Sequence, residues 1–83
     1  MEATRYFLEQ VSRKRPYVTL AICRVVVDAP LKAANQPDGR IRHWGRITLP
    51  GEQKTRILRV VTLDDGTTVH NAFIDRDFYE DRS

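Results

Sequence analysis

An α+β fold, two N-terminal helices packed on a three- or four-stranded antiparallel sheet, is predicted by three features of the chain. Residues 54–76, KTRILRVVTLDDGTTVHNAFIDR, set two runs rich in β-branched and apolar residues on either side of Asp65-Gly66. That dipeptide suits the positive φ angles of a tight hairpin turn. Residues 40–49, RIRHWGRITL, alternate strictly and predict a third strand. Ahead of both lie two stretches with helical spacing, and helices that precede a meander pack naturally on one of its faces.

The elements follow in order. Residues 4–14, TRYFLEQVSRK, read as a short amphipathic helix with Phe7, Leu8 and Val11 on one face, Tyr6 at its edge and Thr4 as cap. Arg13-Lys14-Arg15 suits its C-terminal dipole, and Pro16 stops it. Residues 17–29 carry two signals. The β-branched content, Val25-Val26-Val27 above all, argues for a buried strand. Thr19 as N-cap, Arg24 and Asp28 four apart, and Pro30 as terminator argue for a core helix over 19–29, which is the preferred assignment.

Residues 30–39 connect the layers, with a short edge strand at 32–35 and a turn at Pro37-Asp38-Gly39. In the strand over 40–49, Arg40, Arg42, Trp44, Arg46 and Thr48 share one face; Ile41, His43, Gly45, Ile47 and Leu49 share the other. With Asp65-Gly66 as the turn, Thr62 faces Val69, Val60 faces Asn71, Leu58 faces Phe73 and Arg56 faces Asp75. Each face of that hairpin is mostly apolar, as expected of central strands covered on both sides.

Eighty-three residues, 41% of them hydrophobic, suit one domain spanning 1–83 with a small core. A core of that size invites a partner chain, a homodimer among the expected assemblies. No apolar run reaches membrane-spanning length, and the charged residues after Met1 do not resemble a signal peptide. The single cysteine, Cys23, points to a reducing, cytoplasmic compartment and to an inert core thiol.

The net charge of +3 hides an asymmetry. Residues 28–59 hold seven Lys/Arg against three Asp/Glu, whereas residues 60–83 hold two against six. A basic body with an acidic tail, residues 77–83, suits a protein that meets a polyanion on one surface. The plainer alternative is a solubilising surface whose two ends pair with each other.

Arg40, Arg42, Trp44 and Arg46, extended by Lys54, Arg56 and Arg59 on the next strand, form the strongest candidate nucleic-acid-binding face. Guanidiniums grip phosphates bidentately, and an indole offers a base a surface to stack on. A solvated outer face with Trp44 covering an edge is the competing account. His70, beside Arg59, is the candidate acid or base for phosphodiester cleavage, with arginine stabilising the developing charge. His43 falls on the opposite face from Arg42 and Trp44. The two histidines and Cys23 have no metal-ligand spacing, and no phosphate loop, nucleophile elbow or dinucleotide fingerprint occurs, so no metal or cofactor is expected.

The order of elements, together with PDGRIRHWGRI and RILRVVTLDDGTTVHNAFIDR, resembles the RelE/ParE-like toxin superfamily, including its BrnT-like branch. The resemblance covers about residues 4–76. It implies a metal-independent RNA endonuclease, acting free or at the ribosome and neutralised by a cognate antitoxin. The implied site is Arg42, Arg46 and Arg59 with His70 and Arg76. Tyr6, Phe7, Leu8 and Glu9 stand where related domains often begin the first helix with a histidine followed by arginines. A non-catalytic module that grips nucleic acid or an acidic partner with the same face is the alternative.

Overall fold

The computed structural model describes residues 1–78. Two N-terminal helical segments pack on a four-stranded antiparallel sheet of order β1-β2-β3-β4. The first is a π-helical stretch, Phe7–Val11, that runs directly into a short α-helix, α1 (Ser12–Lys14). Thr4 caps it as expected, its hydroxyl accepting from the Phe7 N–H at 3.2 Å. Phe7 and Val11 are buried, but Leu8 is 53% exposed and does not join their face. The segment meets the sheet along one narrow line beside the last strand, and only residues four apart reach it.

Helix α2 (Leu20–Asp28) settles the ambiguous stretch in favour of the helix. Thr19 caps it through the Ile22 N–H, and Arg24 pairs with Asp28 at 3.4 Å. Cys23 and Val26 face the sheet, whereas Val25, the first of the three valines, is 63% exposed. Capping and one apolar stripe therefore outweigh the β-branched content. Burial pushes the Cys23 thiol up to about 12, in keeping with an inert core cysteine.

Strand β1 (Lys32–Asn35) is the expected short edge, and Gly39 at φ 91° closes the turn into β2 (Ile41–Thr48). Strand β3 (Thr55–Thr62) pairs with β2 along its whole length, and β4 (Val69–Ile74) completes the sheet. Its start is covered by residues 2–4, which add a parallel bridge at Ala3 and Val69.

The core lies between the helices and one sheet face. It is built from Phe7, Val11, Val18, Cys23, Val26, Ile47, Leu58, Val60, Val69 and Ala72. Gly45 fixes how closely α2 approaches: a Cβ there would lie 3.0 Å from Val26 Cγ2 and 3.1 Å from Cγ1. Gly45→Val is therefore expected to destabilise by about 1–3 kcal/mol through overpacking. An unchanged midpoint in urea denaturation would mean that α2 moves off the sheet without cost.

The hairpin departs from expectation in two places. Only Gly66 has a positive φ, 74°, so the connection is not a two-residue turn. The Gly66 N–H closes a turn onto Leu63 O, with Asp64 and Asp65 at its centre, and Asp65 accepts from the N–H groups of Thr67 and Thr68 and from the Thr68 hydroxyl. Those bonds hold the Asp65 carboxyl down at about 2.

The second departure matters more. Thr62 faces Val69 as predicted, but Val61 faces Asn71, so β4 carries a bulge at His70. Beyond it the register slips by one: Val60 faces Ala72, Arg59 faces Phe73 and Leu58 faces Ile74. Ala72 and Ile74 consequently turn to the helices with Val60 and Leu58, and Asn71 and Phe73 turn outward with Val61 and Arg59.

Candidate nucleic-acid interface

The pairing lines up side chains in rows across the outer face. One row is Lys32, Trp44, Arg59, Phe73; the next is Ala34, Arg42, Val61, Asn71. Cations alternate with rings in the first. Lys32 lies 5.7 Å from the Trp44 centroid, and Arg59 lies 5.9 Å from Trp44 and 4.4 Å from Phe73. Each such contact stabilises by roughly 0.5–2 kcal/mol, more as it is desolvated.

That row changes what Trp44 can do. Its ring is only 7% exposed. Phe78 stacks on it at 5.4 Å with an interplanar angle of 19°, and its Nε1–H donates to Asp75 Oδ2 at 2.9 Å. Asp75 also lies 3.5 Å from Arg59 Nε, close enough to pair as ions, although that nitrogen makes no hydrogen bond. Burial alone would raise the Asp75 carboxyl. The bond from Trp44, the N–H groups of Asp77 and Phe78, and the charge of Arg59 together hold it below the usual carboxylate range. The C-terminal side of β4 thus seals the indole, and the expected stacking of a base on Trp44 is not available in this arrangement.

The open part of the face lies one row away. A groove of about 440 Å³ lies over the middle strand, lined by Arg40 and Arg42 from the β2 side, by Arg59 and Val61 of β3, and by Tyr6, His70, Asn71 and Phe73, with Gln36 completing it. Strands β2 and β4 are two strand spacings, about 9.5 Å, apart here. Arg40 leans towards Asp38, 3.5 Å from its carboxylate. Arg42 pairs with no carboxylate among the described residues. Tyr6 stacks on His70 at 4.9 Å and is 48% exposed, so its ring presents an open face.

His70 occupies the bulge. Its Nδ1 is 3.0 Å from the Thr4 hydroxyl, whose oxygen also accepts from Phe7, so the helix cap fixes the imidazole. Desolvation lowers its pKa below the ordinary histidine value; the charge of Arg40 lowers it further and Asp38 opposes both. The ring is therefore largely neutral at pH 7.

The other predicted residues are placed elsewhere. Arg46 is exposed on the outer face, outside the groove lining. Arg56 faces Ile47 and so belongs to the helix side, where it pairs with Glu52 at 3.1 Å. Lys54 and Arg76 line a separate depression with Ile57, Ile74, Asp75 and Phe78, so Arg76 does not join His70 and Arg59. His43 is buried, Nδ1 3.2 Å from Val60 O. Of the tail, Phe78 does pin the chain, on Trp44, and residues 79–83 lie outside the described residues. Among the described residues no group of three His, Cys, Asp or Glu could hold a metal ion, and no helix is long and apolar enough to cross a membrane.

Sequence alone missed Tyr6, Gln36, Asn71 and Phe73. Tyr6 is separated from His70 by most of the chain, and the outward turn of Asn71 and Phe73 depends on a bulge that no residue type announces. Comparison with protein-family models, curated proteins and solved structures returns no match for the chain. Of the RelE/ParE-like resemblance, the small α+β fold is what stands.

Proposed function

We propose that the chain is a cytoplasmic RNA-binding module that holds a single strand in the groove between β2 and β4. The observation that carries this reading is the convergence of Arg40, Arg42 and Arg59 on one groove that also holds the half-exposed ring of Tyr6. Guanidiniums take backbone phosphates, and an exposed aromatic takes an unstacked base. The groove is short, and its far wall rises from the N-terminal helix, which suits a flexible strand better than a duplex.

A second reading has its own support. His70, neutral and fixed by Thr4, shares the groove with three guanidiniums. In a toxin-like, metal-independent endoribonuclease, His70 would take the proton of a ribose 2′-hydroxyl as that oxygen attacks the adjacent phosphorus. Arginine would stabilise the crowded phosphorane, and the 5′-oxygen would leave with a proton from water, giving a 2′,3′-cyclic phosphate. A cognate antitoxin would then be an acidic protein covering the groove, and Arg59 would act by charge.

Fluorescence anisotropy with a labelled single-stranded RNA tests the first reading, and a gel of the same RNA tests the second. Binding should weaken steeply with salt. It should also strengthen as pH falls from 8 to 6. A polyanion raises the depressed pKa of His70, so the complex takes up a proton, and the gain levels off below the free pKa. His70→Gln should flatten that slope. Binding without cleavage supports the module; cleavage lost in His70→Gln supports the enzyme. Salt-insensitive or absent binding defeats both.

A further inference from the structure

Beyond phosphates, the groove has a polarity of its own. Arg40, Arg42 and Arg59 can only donate hydrogen bonds. Asn71 is normally ambivalent, but here its Oδ1 accepts from the Ala72 N–H at 2.9 Å. A backbone N–H needs an oxygen, so the amide cannot be turned the other way. Its Nδ2 is therefore left as a donor with no partner among the described residues, on a side chain that lines the groove. Gln36 is oriented in a similar manner, Nε2 towards Asp38 Oδ1 at 3.5 Å, but it stands beside Arg40, away from Tyr6 and Asn71.

The geometry points to a base-selective subsite: Asn71 Nδ2, beside the open ring of Tyr6, selects an RNA base bearing a carbonyl at pyrimidine C4 or purine C6. Uracil and guanine present an acceptor there, whereas cytosine and adenine present an amino group that would meet Nδ2 donor to donor. The layout permits this without crowding. A nucleotide with its phosphate on Arg42 reaches across Val61, two strand spacings or about 9.5 Å, and lays its base against Tyr6 and Asn71. This subsite rests on the RNA-binding reading and adds to it a choice of base.

The cleanest pair of probes is octauridylate and octacytidylate, which differ at the C4 substituent and at N3. Anisotropy should show octauridylate bound about tenfold more tightly, the scale of one hydrogen bond made against one donor left opposed. Asn71→Asp keeps an oxygen for the Ala72 N–H and replaces the groove-facing donor with an acceptor. It should invert the ratio while weakening both affinities through its charge. Asn71→Ala should bring the ratio to about one. Equal binding of the two oligonucleotides by the unmodified protein, or a ratio that survives both substitutions, overturns the subsite and leaves RNA binding standing. No binding of either overturns the subsite together with the reading beneath it.

Discussion

Replacing Trp44 with alanine is expected to destabilise the fold by about 3–5 kcal/mol, the usual cost of removing a buried tryptophan. The loss has several parts. The indole is 7% exposed, sits in a row between Lys32 and Arg59, carries Phe78 on its face and donates to Asp75. Removing it takes one hydrogen bond from a carboxylate that burial already penalises and leaves Arg59 with Phe73 as its one ring. Trp44→Phe keeps most of the stacking area and loses only the N–H, which should cost about 1–2 kcal/mol. Because the ring is sealed by its own chain, Trp44→Phe should leave RNA affinity within about threefold of the parent, less than 0.7 kcal/mol. Urea denaturation and anisotropy on the same preparations decide the matter. A stable Trp44→Phe protein with RNA affinity reduced tenfold would show that the indole leaves its seat to meet the ligand.

Most of the architecture could be read from residue order, and the reasons are local. Thr19 announces a helix cap, Gly39 and Gly66 announce turns, and the alternation in β2 assigns its faces correctly from Ile41 to Ile47. What could not be read depends on contacts between distant segments. The bulge at His70 looks like ordinary alternation in sequence, yet it exchanges the faces of Asn71 and Ala72 and so decides which residues line the groove. The same limit applied to charge. Counting arginines found the basic face, but Arg56 goes to Glu52 on the helix side and Arg59 to Asp75. One of these, Asp75, belongs to the acidic C-terminal stretch, so a single ion pair of the plainer account, in which the two ends pair with each other, is present. Trp44 is the most conspicuous residue of the face in sequence, yet its own chain seals it: large aromatics are buried on average, and Phe78 and Asp75 cover this one.

On the RNA-binding reading, Arg40 and Arg42 are the groove cations that do not pair with the acidic C-terminal half, so the sharpest loss of binding should come from the two together. The double substitution Arg40→Ala, Arg42→Ala is expected to weaken single-stranded RNA binding by roughly 100-fold, since charge-assisted hydrogen bonds contribute about 1.5–3 kcal/mol each and Arg40 already leans towards Asp38. The slope of log affinity against log salt should fall by about 1.4, at about 0.7 per phosphate contact on a single strand. Net charge alone would also weaken binding, and a matched control separates the two effects. Arg13→Ala, Lys14→Ala removes the same two charges from the exposed end of α1, outside the groove lining. That control should lose about threefold or less through diffuse attraction, with nearly the parental salt slope. Equal losses in the two doubles would mean that the chain attracts RNA as a positively charged body and that the groove between β2 and β4 is not where the strand lies. A loss confined to Arg40 and Arg42, with unfolding midpoints unchanged, places the phosphates opposite Tyr6 and His70, where base choice and cleavage would both have to occur.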